Sequence, residues 1–226
     1  MLRLIKTRHG ETQYNIENRI QGGIDTELTP HGIRQAEMLA DHFRDTPIDY
    51  VVSGTLKRQA QTAGVIARPR GISVVHDEGL NERDWGRFNG RYEHEVDTGG
   101  IPLTRYLFYM VDPNDDSNPK IEKGPEHKGE TIEEMMRRIG LFYDRLVDRY
   151  VDATMLIVGS QFSNAYLLNH VLGIPPECPV LFAQENMCIN EIRVYPKKDA
   201  GRPVEVVDIN FMEHVHYRDG SVQGTD

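Results

Sequence analysis

Cysteine is scarce in this sequence. Of 226 residues only Cys178 and Cys188 are cysteines; they form no CxxC pair, and no histidine cluster stands at zinc-ligand spacing. Two such residues do not make a disulfide framework, and their spacing indicates no zinc site. We therefore expect both thiols to be reduced and structural, and we expect no metal site.

Long apolar runs are also missing. No stretch approaches the roughly 20 apolar residues that a membrane-spanning helix needs. The chain begins with a strand carrying Arg3 and Lys6 rather than with the apolar core of a signal peptide. These features predict a cytoplasmic protein that has no membrane partner.

Positive charge is in short supply. The 26 Lys and Arg residues stand against 35 Asp and Glu residues, which gives a net charge of −9. This balance argues against a broad surface for nucleic acid. A pocket with its own arginines can still bind an anionic substrate, because its local field can oppose the global one. Arginines lie near several predicted loops, namely Arg8, Arg19, Arg58, Arg83 and Arg87.

Short apolar runs alternate with amphipathic segments along the chain. Strands are predicted near residues 2–5, 48–53, 72–75, 154–158, 188–195 and 204–209, and helices near 30–44, 56–67, 103–111, 132–151 and 163–172. This order predicts an α/β fold, a three-layer α/β/α sandwich whose central sheet is mostly parallel. We expect one domain over residues 1–217, a lid-like insertion at about 92–128, and a disordered tail at 218–226.

The first strand leads into Arg8-His9-Gly10. The carboxyl end of a strand in an open α/β sheet is where ligands bind. There an imidazole can act as a nucleophile, an acid or base, or a metal ligand. Arg8 offers bidentate donors suited to phosphate, and Gly10 lets the backbone approach a ligand. Three residues alone are a weak signal, since a lone histidine at a strand end is usually structural.

Two further segments carry polar groups in similar places. Ser53-Gly54 ends a predicted strand, and the first turn of the next helix presents Arg58 close to free backbone amides. The loop Leu80-Asn81-Glu82-Arg83-Asp84-Trp85-Gly86 combines acids, a base and the only tryptophan. Alone, either segment could be a solvated surface with ordinary ion pairs.

Together these segments resemble the histidine phosphatase superfamily, also called the phosphoglycerate mutase-like family. The resemblance covers nearly the whole chain, with five elements in family order. They are Arg8-His9-Gly10-Glu11-Thr12 with Asn15; Leu28-Thr29-Pro30-His31-Gly32, similar to "L-T-x-x-G"; Ser53 to Ala63, similar to "S-x-L-x-R-A-x-Q-T-A"; Leu80-Asn81-Glu82 with Trp85-Gly86, similar to "L-x-E-x-x-x-G"; and Gly129-Glu130-Thr131, similar to "G-E-S".

The resemblance implies a phosphoglycerate mutase-like fold and a metal-independent phosphomonoesterase acting through phosphohistidine. His9 would attack phosphorus, with a backbone carbonyl bound to its other ring nitrogen. Arg8 and Arg58 would bind the phosphoryl oxygens, Asn15 would add a hydrogen bond, and Glu82 would be the proton donor and acceptor.

The resemblance also bears on ligands and partners. It implies no cofactor and a small phosphorylated metabolite as the substrate, and it leaves a homodimer open. The further candidate substrate contacts are Gln21, Gly22 and Arg83.

One family element is missing. After the strand ending at Val158 the family presents "S-H-G", whose histidine completes the phosphate pocket, whereas this chain reads Gly159-Ser160-Gln161-Phe162. Counting back from Gly173 puts Ser160 at the histidine's place, and counting from Val158 leaves Gln161 open. Either side chain offers only a neutral hydrogen bond, about half as strong as that of an imidazolium. Losing one donor to a transition-state oxyanion costs roughly a hundred- to a thousandfold in rate.

Several explanations of this loss stay open from the sequence. The chain could be a slow phosphatase, an engineered inactive variant, a phosphate-binding pseudoenzyme or a biosynthetic enzyme using the pocket for other chemistry. The short insertion argues against a mutase by resemblance only. Stand-ins for the missing imidazole are His127, His214 and His216, and candidates for specificity in the insertion are Arg105, Tyr106, Tyr109 and Lys120.

Overall fold

The computed structural model describes residues 1–109, 128–175, 179–197 and 201–216, excepting the side chains of residues 109, 215 and 216. Several sequence-based expectations concern residues outside these ranges. They are the insertion beyond residue 109, with Lys120 and His127; Cys178; and the tail at 218–226.

The described strands form one six-stranded sheet in the order β3-β2-β4-β1-β5-β6. They are β1 (Leu2–Arg8), β2 (Tyr50–Ser53), β3 (Val74–His76), β4 (Ala153–Gly159), β5 (Ile189–Val194) and β6 (Val204–Phe211). The pairs β1–β4, β2–β4 and β2–β3 are parallel. The pairs β1–β5 and β5–β6 are antiparallel. The prediction of a mostly parallel central sheet is therefore confirmed.

Two long helices begin after threonines that satisfy free backbone amides. In the described part of the chain they are α1 (Gln13–Ile16), α2 (Pro30–His42), α3 (Lys57–Ala67), α4 (Leu103–Tyr109), α5 (Ile132–Arg149), α6 (Gln161–Val171) and α7 (Glu213–His216). Thr29 caps α2 by accepting from the N–H of Gly32, and Thr131 caps α5 by accepting from the N–H of Glu134.

Alternate residues of β4 face two separate cores. Met155 and Ile157 join the cluster that contains Phe142 of α5 and Ala165 of α6. Leu156 joins the cluster that contains helices α2 and α3. Because successive side chains of a strand point to opposite faces, helices cover both sides of the sheet. The three-layer α/β/α architecture is confirmed.

Some element boundaries differ from those predicted. Strand β3 begins at Val74 rather than Ile72, and α6 begins at Gln161 rather than Ser163. The earlier start of α6 makes Ser160 its N-cap residue, which matters for the site below. In the part of the chain that the structure describes, no helix is both long and apolar enough to cross a bilayer. Cys188 is buried and free.

Candidate active site

Three parallel strands bring their carboxyl ends to one edge of the sheet. Arg8 pairs with Gly159, and Ser53 pairs with Val158. The backbone N–H of His9 continues the pairing by donating to the carbonyl of Gly159 at 3.1 Å. The segments that follow β1, β2 and β4 therefore converge, as the sequence predicts. Between them lies a cavity of about 170 Å³.

His9 lies in this cavity and is only 2% exposed. Its Nδ1 atom is 2.8 Å from the carbonyl oxygen of Gly10. A carbonyl can only accept, so Nδ1 carries the proton and Nε2 keeps its lone pair. Burial, followed by the positive charges of Arg58 and Arg8, holds the pKa of His9 well below its usual value of 6.5. The ring is thus a neutral base with one nitrogen left for a ligand.

Arg8 lines the same cavity beside His9. Its Nη1 donates to the carbonyl of Gln184 at 2.7 Å, which fixes one side of the guanidinium. Its buried Nε has no partner among the described residues. Burial lowers the pKa of Arg8, and the nearby Glu82 carboxylate is the first charge that opposes this. Arg8 therefore keeps unused N–H groups in a site that also contains a carboxylate.

Arg58 is fully buried at the start of α3 and also lines the cavity. Its Nη1 donates to the carbonyl of Ile24 at 2.7 Å and its Nη2 to the carbonyl of Gly22 at 2.8 Å. Each Nη carries two hydrogens, so each keeps one for another acceptor. Burial lowers the pKa of Arg58 to about 10, and the carboxylate of Glu82 opposes that shift. The side chain is therefore charged at neutral pH.

Glu82 faces this cavity with its carboxylate held by backbone amides. Its Oε1 accepts from the N–H of Arg83 at 2.9 Å and from that of Ser163 at 3.3 Å. Its Oε2 accepts from the N–H of Phe162 at 3.2 Å. Two of these donors belong to the first turn of α6, where the helix dipole favours a negative charge. The carboxylate therefore has one fixed orientation.

Asn15, Gln21 and Gly22 also lie on the cavity. Asn15 Oδ1 accepts from the backbone N–H of Thr12 at 3.1 Å, and Gln21 Oε1 accepts from the Thr26 hydroxyl at 2.7 Å. These hydrogen bonds orient both side-chain amides at the wall. Gly22 has a φ of +51°, and a Cβ at this position would collide with the side chain of Asn89 and touch Trp85, so a larger residue would be strained.

Ser160 and Gln161 are placed differently. Gln161 lines the cavity, whereas Ser160 is fully buried and is absent from its wall. The hydroxyl of Ser160 accepts a hydrogen bond of 3.0 Å from Nε2 of Gln59. The side chain of Ser160 therefore lies behind the cavity, and this placement does not support the prediction that Ser160 contacts phosphate. Gln161 is the residue of this pair that a ligand would meet.

Arg83, a candidate substrate contact in the sequence, also lies away from the cavity wall. Its guanidinium lies 4.2 Å from the centre of the Trp85 ring, and its Nε donates to the carbonyl of Glu130 at 2.9 Å. It does not line the cavity. The side chain is 1% exposed, so it braces the loop between β3 and α5 instead of meeting a ligand.

Sequence reasoning missed part of the cavity wall. The guanidinium of Arg19 lies over the rings of Tyr14 and Tyr92, at 4.3 and 4.8 Å from their centres. The sequence indicated Arg19 only as one of the arginines near predicted loops. Trp85 and Phe162 also line the cavity and belong to segments that the sequence analysis considered. The remaining wall residues carry no motif, and they are Tyr14, Asn18, Ile20, Glu93, Leu103, Thr104 and Leu107.

Of the candidates for specificity and for replacing the imidazole, those whose side chains the structure describes are not on this wall. From the insertion, Leu103, Thr104 and Leu107 line the cavity, and Arg105 and Tyr106 do not. His214 is buried near His42, with ring centres 5.2 Å apart, and it does not line the cavity either. Within the described residues no group of three or more His, Cys, Asp or Glu side chains could hold a metal ion.

Comparisons with known proteins agree with this geometry. Residues 4–204 match the family model of the histidine phosphatase superfamily (branch 1). A relative from Yersinia pestis (strain Pestoides F), named "Probable phosphoglycerate mutase GpmB", is 33% identical over 175 residues, which are 77% of this chain and 77% of that protein.

Solved structures share the fold. The phosphoserine phosphatase of Entamoeba histolytica, in complex with 3-phosphoglyceric acid, has a TM-score of 0.72 and 26% identity, covering 95% of this chain and 100% of that one. A mycobacterial glucosyl-3-phosphoglycerate phosphatase has a TM-score of 0.75 over 93% of this chain and 99% of that one, and its 23% identity supports the fold alone. The chain belongs to branch 1 of the histidine phosphatase superfamily and is an enzyme of the histidine-phosphatase type.

Proposed function

We propose that this protein is a metal-independent phosphomonoesterase that hydrolyses a small organic phosphate through a phosphohistidine on His9. The observation that carries the proposal is the state of the His9 ring. Its Nδ1 proton is held by the Gly10 carbonyl at 2.8 Å, and Nε2 is left in a cavity shared with Arg8, Arg58 and Glu82. A neutral nitrogen beside two cations is a nucleophile next to a site for a phosphoryl group.

In the first step Nε2 of His9 attacks phosphorus, and the bond from phosphorus to the ester oxygen breaks. The free N–H groups of Arg8 and Arg58 bind the oxygens of the transferring group, where negative charge has to be stabilised. Glu82, in its protonated form, gives its proton to the departing oxygen. The ring gains positive charge as the new bond forms, and the Gly10 carbonyl at Nδ1 stabilises that charge.

In the second step water attacks the phosphohistidine. The Glu82 carboxylate takes a proton from the water, the bond from nitrogen to phosphorus breaks, and inorganic phosphate is released. His9 returns to its neutral form and Glu82 to its protonated one. The three backbone amides that hold Glu82 orient it for both steps, because the same carboxyl group must meet the leaving oxygen and then the water.

Gln161 lines the cavity and is the neutral donor that would stand in for the missing imidazole. The amide of Gln161 offers hydrogen bonds without a charge, so its stabilisation of the phosphoryl oxygens is weaker. The proposal therefore predicts a phosphatase that is slower than one with the full motif, with the nucleophile and both arginines intact.

A phosphoglycerate mutase is the second candidate, because the Yersinia pestis relative carries that name at 33% identity. The two reactions share the phosphohistidine. They differ in the acceptor, which is water in hydrolysis and a second hydroxyl group of the substrate in a mutase.

One assay separates the candidates. The protein is incubated with 4-nitrophenyl phosphate and, separately, with 3-phosphoglycerate, while inorganic phosphate and 2-phosphoglycerate are both measured. Phosphate release that disappears in His9→Ala supports the phosphatase, and isomerisation without net phosphate release supports the mutase. If neither product forms while inorganic phosphate still raises the melting temperature, the protein binds phosphate without turnover and the proposal fails.

A further inference from the structure

Gln59 is a buried amide placed directly behind the cavity. It follows Arg58 on α3, it is fully buried, and it does not line the cavity. Its Nε2 donates two hydrogen bonds, one of 2.8 Å to the carbonyl of Leu80 and one of 3.0 Å to the hydroxyl of Ser160. One amide group thus ties together two segments that are far apart in the sequence.

Both of those segments hold Glu82. Leu80 stands two residues before it in the chain. Ser160 is the N-cap residue of α6, and the backbone amides of Phe162 and Ser163 in the first turn of that helix bind the Glu82 carboxylate. The Gln59 amide therefore fixes the loop that carries the carboxylate against the helix that binds it.

The carbonyl oxygen of the Gln59 side chain holds neither segment. Within the described part of the chain, Gln59 Oε1 has no hydrogen-bond donor. An unsatisfied buried carbonyl destabilises a fold, and an apolar side chain of similar length would fill the same space without that cost. The contribution of the amide group therefore lies in the two bonds that it donates.

We propose that Gln59 is a positioning residue for Glu82, acting through Leu80 and Ser160 and never touching the substrate. This inference rests on the proposed phosphatase mechanism, in which Glu82 protonates the leaving oxygen. Loss of the Gln59 donors then impairs proton donation selectively and leaves His9, Arg8 and Arg58 as they are.

The dependence of kcat/KM on the leaving group of the substrate distinguishes a positioning role of Gln59 from a general structural role. Phenyl phosphate and 4-nitrophenyl phosphate are similar in shape, but 4-nitrophenolate departs readily without a proton, whereas phenolate depends more on the donor. The ratio kcat/KM reports the first irreversible step, which is formation of the phosphohistidine. A variant with a displaced Glu82 therefore loses more kcat/KM on phenyl phosphate than on 4-nitrophenyl phosphate.

The experiment compares Gln59→Met with Gln61→Met. Gln61 lies on the same helix, its side chain is exposed, and its Oε1 accepts from the backbone N–H of Leu28 at 2.8 Å. We expect Gln59→Met to lose about tenfold more kcat/KM on phenyl phosphate than on 4-nitrophenyl phosphate, a fraction of the full effect of a general acid. Gln61→Met should leave the ratio of the two substrates unchanged.

Ser160→Ala is the second variant and keeps the test decisive if Gln59→Met does not fold. It removes one of the two acceptors, and we expect a smaller change of the ratio in the same direction. Equal losses on both esters, or no loss, would overturn the role of Gln59 while leaving the phosphatase in place. An unmodified protein that hydrolyses neither ester and traps no phosphohistidine would overturn the proposed function itself.

Discussion

Glu82 Oε2 accepts a hydrogen bond of 3.2 Å from the backbone N–H of Phe162, the second residue of α6. This contact joins the proposed proton donor to the helix that also presents Gln161 to the cavity. The same first turn therefore sets the orientation of the carboxylate and presents the Gln161 amide to the same cavity. Substitutions at residues 160 and 161 should therefore change the orientation of the Glu82 carboxylate.

Glu82→Gln should reduce turnover strongly. An amide cannot give or take the proton, and its NH2 group would face backbone N–H donors. We expect kcat/KM on phenyl phosphate to fall by about a hundred- to ten-thousandfold. The matched control is Glu133→Gln, an exposed carboxylate in the first turn of α5. Steady-state kinetics check the prediction, and comparable rates for the two variants would contradict it.

The depressed pKa of His9 should appear in the pH dependence of stability. Below pH 6.5 the unfolded chain binds a proton on this histidine and the folded protein does not, because burial, Arg58 and Arg8 hold its pKa well below 6.5. The neutral ring thus contributes stability above pH 6.5, and that contribution is lost as the pH falls towards the folded pKa. We expect His9→Gln to lose less unfolding free energy than the unmodified protein between pH 7 and pH 5. Chemical denaturation at both pH values tests this, and parallel losses would speak against a neutral, enclosed ring.

Lys6 should also make the stability of the fold depend on pH, in this case between pH 7 and pH 10.5. It is fully buried in β1, its Nζ donates to the carbonyl of Asn164 at 2.9 Å, and burial lowers its pKa from 10.5 to about 7. Between pH 7 and 10.5 the unfolded chain holds a proton that the folded protein has released, so stability rises with pH by up to roughly 1.4 kcal/mol per unit.

Lys6→Met removes that titration. We expect the variant to gain unfolding free energy relative to the unmodified protein near pH 7, and to lose that advantage by a few kcal/mol towards pH 10. Urea denaturation at several pH values measures the difference. A difference that stays constant across this range would show that Lys6 remains charged in the fold.

Histidine substitutions at 160 and 161 should act in opposite ways. Gln161→His places an imidazole on the cavity wall, where a charge-assisted bond to phosphate should raise kcat/KM by about tenfold or more. Ser160→His puts a large ring against the Gln59 amide, which lies 3.0 Å from the Ser160 hydroxyl. Such overpacking should lower the unfolding free energy by about 1–3 kcal/mol.

Gln59→Ala should relieve the strain of Ser160→His in the double variant. Kinetics and denaturation of the single and double variants test the pair. If Ser160→His alone gained activity at unchanged stability, the placement of Ser160 behind the cavity would be wrong.

The convergence of the site residues could be predicted from the alternation of strands and helices along the chain. Apolar runs followed by His9, by the segment leading to Arg58 and by Ser160-Gln161 predict parallel strands that end at one edge, and β1, β2 and β4 do so. The caps of α2 and α5 can also be predicted from the sequence, because threonine is a preferred residue at the start of a helix.

Side-chain direction could not be predicted in the same way. Arg83 stands next to Glu82 in the sequence, yet its guanidinium packs on Trp85. Whether Ser160 or Gln161 meets the cavity depends on where α6 begins, and a shift of two residues in that boundary decided it. Gln59 carries no chemical signal of its own, because its importance comes from two acceptors at distant places in the chain.

Identification of the covalent intermediate tests the central claim most directly. The protein is mixed with 4-nitrophenyl phosphate, quenched with alkali within one turnover, digested and mapped by mass spectrometry, with His9→Ala as the control. We expect one phosphoryl group on His9, stable in alkali and labile in acid, and none in the variant. Turnover without phosphate on His9, or with phosphate on another residue, would contradict the account.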